Sequence, residues 1–254
     1  MRIVTVIVVG LFILLLFGGQ ILPLLGRLFG GQARKPFRQA KWVWASLGGN
    51  EEEVRQAEEE FGAECAREFA APFRGTVDDQ AQALVTAIGD QLEKSALSGR
   101  RFRCQVVSAP TPNAFALPGG YIFVTDSLVD LCERRQDEIA LLLAHEMAHV
   151  ALGHSRQKLM VDQVLNVVTA RAAGAGMLAR RLLSEGYSRE QETEADGAGL
   201  RLAVRAGFDG ALGIEVLRRL KRQAPPAPPI GEFFASHPPL AERIQALESE
   251  LRPA

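Results

Sequence analysis

Residues 137–149 read Asp137-Glu138-Ile139-Ala140-Leu141-Leu142-Leu143-Ala144-His145-Glu146-Met147-Ala148-His149. The run up to Ala144 is rich in strong helix formers, and small or apolar residues flank the polar positions, so the segment predicts a buried helix. Its last five residues are H-E-x-x-H. Four residues advance a helix by just over one turn, so His145 and His149 project from one face and can both reach a single tetrahedral zinc ion. Glu146 sits one step around the helix. There its carboxylate can contact a zinc-bound water without being a ligand, which is the general-base position for hydrolysis of a peptide bond. A bare H-E-x-x-H also arises by chance. Two observations weigh against chance: three polar residues on a buried helix need a partner, and the chain has only four histidines, two of them in this run.

A third ligand is required. His154 stands close by, after Gly153. In the extended H-E-x-x-H-x-x-G-x-x-H pattern, however, glycine and histidine follow the second ligand at different distances, so the register is wrong. On a continuing helix His154 points away from His145 and reads as a helix-end residue. The better candidate lies in Ser188-Arg189-Glu190-Gln191-Glu192-Thr193-Glu194-Ala195-Asp196. Ser188 can cap a helix, with Gln191 completing a capping box. Within that helix Glu192 and Asp196 share a face. Glu192 can bind the metal, and Asp196 can accept a hydrogen bond from the free ring nitrogen of a ligand histidine. Glu190 and Glu194 fall on an offset face and are expected to meet solvent. Without the H-E-x-x-H helix, the same stretch reads as a plain acidic surface helix.

The rest of the chain bounds the setting. Its 254 residues suit one good-sized domain, or one domain plus an anchor. Basic and acidic side chains number 29 and 30, which leaves no electrostatic case for nucleic acid as a partner. Cys65, Cys104 and Cys132 form neither a disulfide framework nor a C-x-x-C pair and read as buried thiols. Residues 3–25 are apolar except for Thr5 and Gln20. At about 1.5 Å per residue this stretch can cross a hydrocarbon core about 30 Å thick. No small-residue cleavage site and no lipidated cysteine follows, so residues 1–27 are expected to stay as a single-pass anchor in the lipid bilayer. Arg27, Arg34, Lys35, Arg38 and Lys41 come next, and the positive-inside rule then favours a cytoplasmic domain, whereas the short basic start at Arg2 is one with which many single-anchor proteins take the opposite orientation.

Residues 28–50 read as a juxtamembrane linker, with Trp42 and Trp44 either at the membrane interface or packed on the domain. The domain itself is expected over 51–254. Residues 51–70 predict an amphipathic helix with Val54, Ala57, Phe61, Cys65 and Phe69 inward, and 77–97 a second with Leu84, Ile88 and Leu92 inward. The period then changes: 102–108 is strand-like, and 113–117 and 121–125 flank Pro118-Gly119-Gly120 as a hairpin. Asp126 or Ser127 can cap a short helix running into Leu131. From 136 onward the chain reads as mainly helical. The proline-rich stretch 224–230 interrupts it as a stiff loop. A last amphipathic helix over 239–251 has Leu240, Ile244, Leu247 and Leu251 on one face. Residues 161–183 are apolar in part, but Asp162, Arg171, Arg180 and Arg181 argue against a second span.

H-E-x-x-H on one helix and E-x-x-x-D on a later one, at His145, Glu146, His149, Glu192 and Asp196, resemble the membrane-associated zinc metallopeptidases of family M48, such as the HtpX-like and CAAX prenyl endopeptidases. Three further stretches agree: Asn113-Ala114-Phe115-Ala116-Leu117-Pro118-Gly119-Gly120, Gly186-Tyr187-Ser188-Arg189, and Ser236-His237-Pro238-Pro239 followed by Glu242-Arg243-Ile244. The resemblance covers residues 77–251 and not the anchor. HtpX-like members carry several spans where this chain has one, which points to a small, single-anchor branch.

The resemblance implies an α+β, mainly helical zincin domain of the gluzincin kind with a small β-sheet, behind one N-terminal transmembrane helix. It implies one Zn2+ per chain, held by His145, His149 and Glu192, with Glu146 as the base and Asp196 behind a ligand. Asn113, Ala114, Phe115 and Ala116 would pair with the backbone of an extended, unfolded polypeptide. His237 either stabilises the oxyanion, occupies the open position as an off-switch, or is a loop histidine beside two prolines. Arg243 either stabilises charge or, as expected, anchors the last helix. The implied activity is endoproteolysis of unfolded or misassembled proteins in quality control. The alternative is a zinc-binding adaptor or chaperone-like module that keeps the fold; an intact Glu146 argues against it.

Overall fold

The computed structural model describes residues 42, 45, 50–73, 75–96, 99–158, 186–223, 237 and 240–251. The expected anchor at 3–25, most of the linker 28–50, the segment 161–183 and the proline-rich stretch 224–230 lie outside the described residues. Among the described residues no helix is long and apolar enough to cross a membrane.

The first helix, α1 (Glu51–Ala70), starts on a capping box: Asn50 accepts from the Glu53 amide, and the Glu53 carboxylate accepts from the Asn50 amide. Three glutamates in its first turn favour the positive end of the helix dipole. The expected stripe Val54, Ala57, Phe61, Cys65 and Phe69 is buried. Trp42 is buried too and stacks on Phe61, ring centroids 5.0 Å apart, so this tryptophan packs on the domain. Buried Glu58 ties α1 to Arg100 and, at 3.8 Å, to Arg156. Helix α2 (Asp79–Ser95) begins after Asp78, whose carboxylate accepts from the Gln80 amide at 2.9 Å. Its inward face is Ala81, Val85, Ile88 and Leu92; Leu84, expected inward, is only half-buried.

Three strands follow: β1 (Arg103–Val107), β2 (Ala114–Leu117) and β3 (Tyr121–Thr125). The sheet order is β1-β3-β2, with β1 parallel and β2 antiparallel to the central β3. The expected hairpin is present. Its turn, Pro118–Gly120, carries Gly119 and Gly120 at φ 77° and 80°, a region that glycine alone enters without cost. Both faces of the sheet are covered, which explains why all four residues of β2 are buried. Ala114, Ala116, Ile122 and Val124 join the core beneath α2 and the later helices. Phe115, Leu117 and Phe123 face the other way, into a second core with α1 and Trp42. The outer edge of β1 is closed by a side chain: Gln82 donates to the Cys104 carbonyl (3.1 Å) and accepts from the Val106 amide (2.8 Å).

The short helix α3 (Asp126–Leu131) is capped by Thr125, not by Asp126 or Ser127 as the sequence suggested. Thr125 has the extended backbone of an N-cap, and its hydroxyl accepts from the Leu128 amide. The Asp126 carboxylate instead accepts from Ala109 and Ser127. Then come α4 (Gln136–Ala151), α5 (Arg189–Arg205), α6 (Gly210–Gln223) and α7 (Leu240–Glu250). On α7, Leu240, Ile244 and Leu247 are buried, with Leu251 packed beside them. The three cysteines are free; Cys65 and Cys132 are buried, and Cys104 is half-buried. Burial pushes the Cys104 thiol up to about 12.

Helices α4 and α5 touch backbone to backbone. A Cβ on Gly199 would lie 2.8 Å from the His145 nitrogen and 2.9 Å from its Cα, against main chain that cannot swing aside. Gly199→Ala is therefore expected to lower the thermal unfolding midpoint, even though alanine is the better helix former by about 1 kcal/mol. Overpacking of this kind costs about 1–3 kcal/mol. A raised midpoint in a thermal melt would mean that the two helices are free to separate.

Candidate metal centre

Helix α4 supplies His145, Glu146 and His149, all buried. Helix α5 supplies Glu192 and Asp196, also buried. It opens on the expected capping box, Ser188 accepting from the Gln191 amide and Gln191 from the Ser188 amide. The fourth contributor, His237, is buried ahead of α7. Ligand atoms of His145, His149, Glu192 and His237 all lie within 4.8 Å of one another.

Asp196 Oδ1 lies 2.9 Å from His145 Nδ1. That contact draws the ring hydrogen to Nδ1, so Nε2 turns a lone pair toward the cluster. His145 Nε2 is 3.0 Å from His149 Nε2 and 3.7 Å from Glu192 Oε2, and His149 Nε2 is 3.4 Å from Glu192 Oε1. A tetrahedral zinc ion with bonds of about 2.0–2.1 Å sets its donors about 3.4 Å apart. The donor types and their separations therefore fit that metal. His237 Nδ1 falls inside the same cluster, 3.3 Å from His145 Nε2 and 2.8 Å from Glu192 Oε1.

Charge in the centre is heavily compensated. Burial opposes ionisation of Glu192, but His237, His149 and His145 around it outweigh that and hold its carboxyl well below the usual range. Burial opposes Asp196 in the same way, and Arg243 with His145 holds it low. Burial pushes His149 well below its ordinary value. It pushes Glu146 upward. Neither Glu146 oxygen has a hydrogen-bond partner among the described residues; His237 Nε2 is 3.4 Å from Oε1.

Three residues have a larger part than the sequence suggested. Arg243, expected to anchor the last helix, is buried in the centre. Its Nε and Nη2 each donate to Asp196 at 2.7 Å, and Nη1 donates to the His237 carbonyl at 3.1 Å and lies 3.0 Å from Glu192 Oε2. His154 does not point away. Leu152 and Gly153 form a turn with Gly153 at φ 78°, which ends the helix and brings His154 back behind His149. Tyr187 stacks on His149, centroids 3.8 Å apart and planes 17° from parallel. Glycine four residues after His149 was the available signal for the turn. The stretches around Tyr187 and Arg243 stood out only through the family resemblance, because the partners of both side chains are distant in sequence.

Strand β2 holds Ala114, Phe115 and Ala116, with Asn113 just before it. Thr125 donates its amide to the Asn113 carbonyl at 2.9 Å. The alternation of an antiparallel pair then turns Phe115 toward β3 and the main-chain groups of Ala114 and Ala116 outward. Among the described residues no strand pairs along that outer edge.

Residues 78–251 match the model of peptidase family M48. The mitochondrial metalloendopeptidase OMA1 of Schizosaccharomyces pombe is 33% identical over 165 residues, 62% of this chain and 49% of that protein. OMA1 of Saccharomyces cerevisiae is 34% identical over 173 residues, 63% of this chain and 50% of that protein. The metalloprotease LoiP of Escherichia coli is 28% identical over 198 residues, 71% of this chain and 73% of that protein. The chain thus spans about half the length of the two yeast relatives.

Arg243→Met would leave Asp196 and Glu192 buried without their cation and is expected to cost about 3–5 kcal/mol in denaturant unfolding. Placed on top of it, Asp196→Asn should cost far less than it does alone. Additive losses would show that the two side chains act independently.

Proposed function

The chain belongs to peptidase family M48, and from that premise we propose that it is a membrane-anchored, zinc-dependent endopeptidase that cleaves unfolded or misassembled polypeptides. The observation that carries the reading is the convergence of His145, His149 and Glu192 donor atoms beside a buried carboxylate, Glu146, whose oxygens have no hydrogen-bond partner among the described residues. The names of the relatives, metalloendopeptidases and a metalloprotease, support the same activity.

In this reading His145, His149 and Glu192 hold one zinc ion per chain, and Asp196 orients the His145 ring. When bound, the ion supplies a Lewis acid that lowers the pKa of a water and polarises the scissile carbonyl. Glu146 accepts the proton from the attacking water. The hydroxyl adds to the carbonyl carbon, the C–N bond breaks, and Glu146 returns the proton to the departing amine. The outward main-chain groups of Ala114 and Ala116 suit pairing with an extended substrate, with Asn113 and Phe115 fixing the strand from its other side. Folded domains lack a free extended segment, so this edge favours unfolded clients. Residues 3–25 supply the anchor, and the basic residues after them favour a cytoplasmic domain.

His237 is best read as a closing device rather than as an oxyanion stabiliser. Its Nδ1 stands inside the donor cluster, and its carbonyl is held by Arg243. A site with four protein donors is closed, whereas catalysis needs an open position. His237→Ala is expected to raise hydrolysis of an unfolded protein; a fall in rate would assign His237 to the chemistry instead.

The full chain should bind one zinc and hydrolyse an unfolded protein. Glu146→Gln should keep the metal and lose activity by about 100-fold or more, and Glu192→Ala should lose the metal. Metal analysis and a casein-type cleavage assay read both. Zinc binding without hydrolysis, even after His237→Ala, would turn the reading toward a non-catalytic adaptor.

A further inference from the structure

The two histidines of α4 are supported unequally. His145 leans on a buried carboxylate that a buried arginine neutralises. Among the described residues no carboxylate stands directly behind His149; a histidine does. His149 Nδ1 lies 3.0 Å from His154 Nδ1, and His154 Nε2 lies 3.2 Å from Glu194 Oε2. His154 is buried, whereas the Glu194 side chain is 64% exposed.

Only one hydrogen fits between the two Nδ1 atoms, so two arrangements of the neutral rings exist. In the first, His149 donates from Nδ1 to His154 Nδ1, and His154 donates from Nε2 to Glu194. Both contacts behind the His149 ring are then hydrogen bonds, and His149 Nε2 is left as a lone pair aimed at Glu192 and His145, where only a cation between them satisfies all three acceptors. In the second, His154 donates from Nδ1, and its bare Nε2 faces the bare Glu194 carboxylate at 3.2 Å. Two acceptors oppose each other there, and His149 Nε2 carries a hydrogen into the cluster. The Glu194 carboxylate therefore favours the first arrangement, the one in which His149 Nε2 can bind a metal.

We propose that His154 and Glu194 are positioning residues of the metal centre, a hydrogen-bonded relay that fixes the tautomer and ring orientation of His149. The proposal rests on the reading of His149 as a ligand. Tyr187, stacked on the face of the His149 ring, restrains its plane while the relay restrains its rotation. The Gly153 turn is what makes the relay possible, because it places His154 behind His149 instead of beyond it. Partners of this kind, behind a ligand, commonly set metal affinity by about 10–100-fold.

Two substitutions separate a hydrogen-bonding role from a space-filling one. His154→Phe keeps the ring volume and removes the acceptor. His154→Asn loses volume, but its Oδ1 can still accept from His149 Nδ1 and its amide can still donate to Glu194. Zinc affinity of the full chain, measured by competition with a chelator, should fall by about 10–100-fold in His154→Phe and stay near the wild-type value in His154→Asn. The visible absorption of the cobalt-substituted protein should shift in His154→Phe alone. Glu194→Ala, an exposed change that leaves packing intact, should weaken zinc by about two- to tenfold, the span of one ordinary hydrogen bond. Phenylalanine that binds zinc as tightly as histidine, or asparagine that fails where phenylalanine succeeds, overturns the relay. If His154→Phe does not fold by circular dichroism, the asparagine and Glu194 variants decide the matter, and a normal affinity in Glu194→Ala overturns it. Failure of the wild-type chain to bind zinc overturns the ligand assignment itself and the relay with it.

Discussion

Two helix backbones meet at Gly199 with no side chain between them, and the centre exists because they do. Glu192, Asp196 and Gly199 form one stripe along α5, and the stripe lies on the face of α4 that carries His145 and His149. At an ordinary interhelical distance, with a side chain as spacer, a glutamate on one helix and histidines on the other stand too far apart to share an ion. The glycine removes the spacer. Glu192 then reaches both histidines, and Asp196 reaches the far side of His145.

Such closeness concentrates charge in a dry interior, where an unpaired carboxylate is costly. Arg243 resolves much of this. It comes from α7, near the end of the chain, and its fork engages Asp196 with two parallel hydrogen bonds while a third goes to the His237 backbone. A helix that packs Leu240, Ile244 and Leu247 on the apolar core is thus also bound into the polar centre. Folding of the last helix and assembly of the centre are consequently one event rather than two.

Features signalled by short-range chemistry were legible in the sequence. The capping box at Ser188, the stripe on α1 and the turn at Gly119-Gly120 each depend on residues a few positions apart, and each appears as read. The convergence of His145, Glu146, His149 and Glu192 was legible because two spacings, four residues on one helix and four on another, had one sensible common purpose. The misreadings have a shared cause. Thr125, Asp126 and Ser127 are all competent caps, and only the exit direction of β3 chooses Thr125. His154 was placed on a helix that Gly153 in fact stops. In each case the deciding contact was tertiary, or a single backbone angle.

The seal that Gln82 places on β1 has a consequence for assembly. A sheet with two open edges can add copies of itself without limit, each newcomer offering a fresh edge to the next. In this sheet one edge is occupied by the protein's own glutamine amide, which mimics a passing peptide group and leaves no room for a real one. Two copies that paired through β2 would therefore form a closed pair, because each has its β1 edge already occupied and offers no second edge from which a fibre could grow.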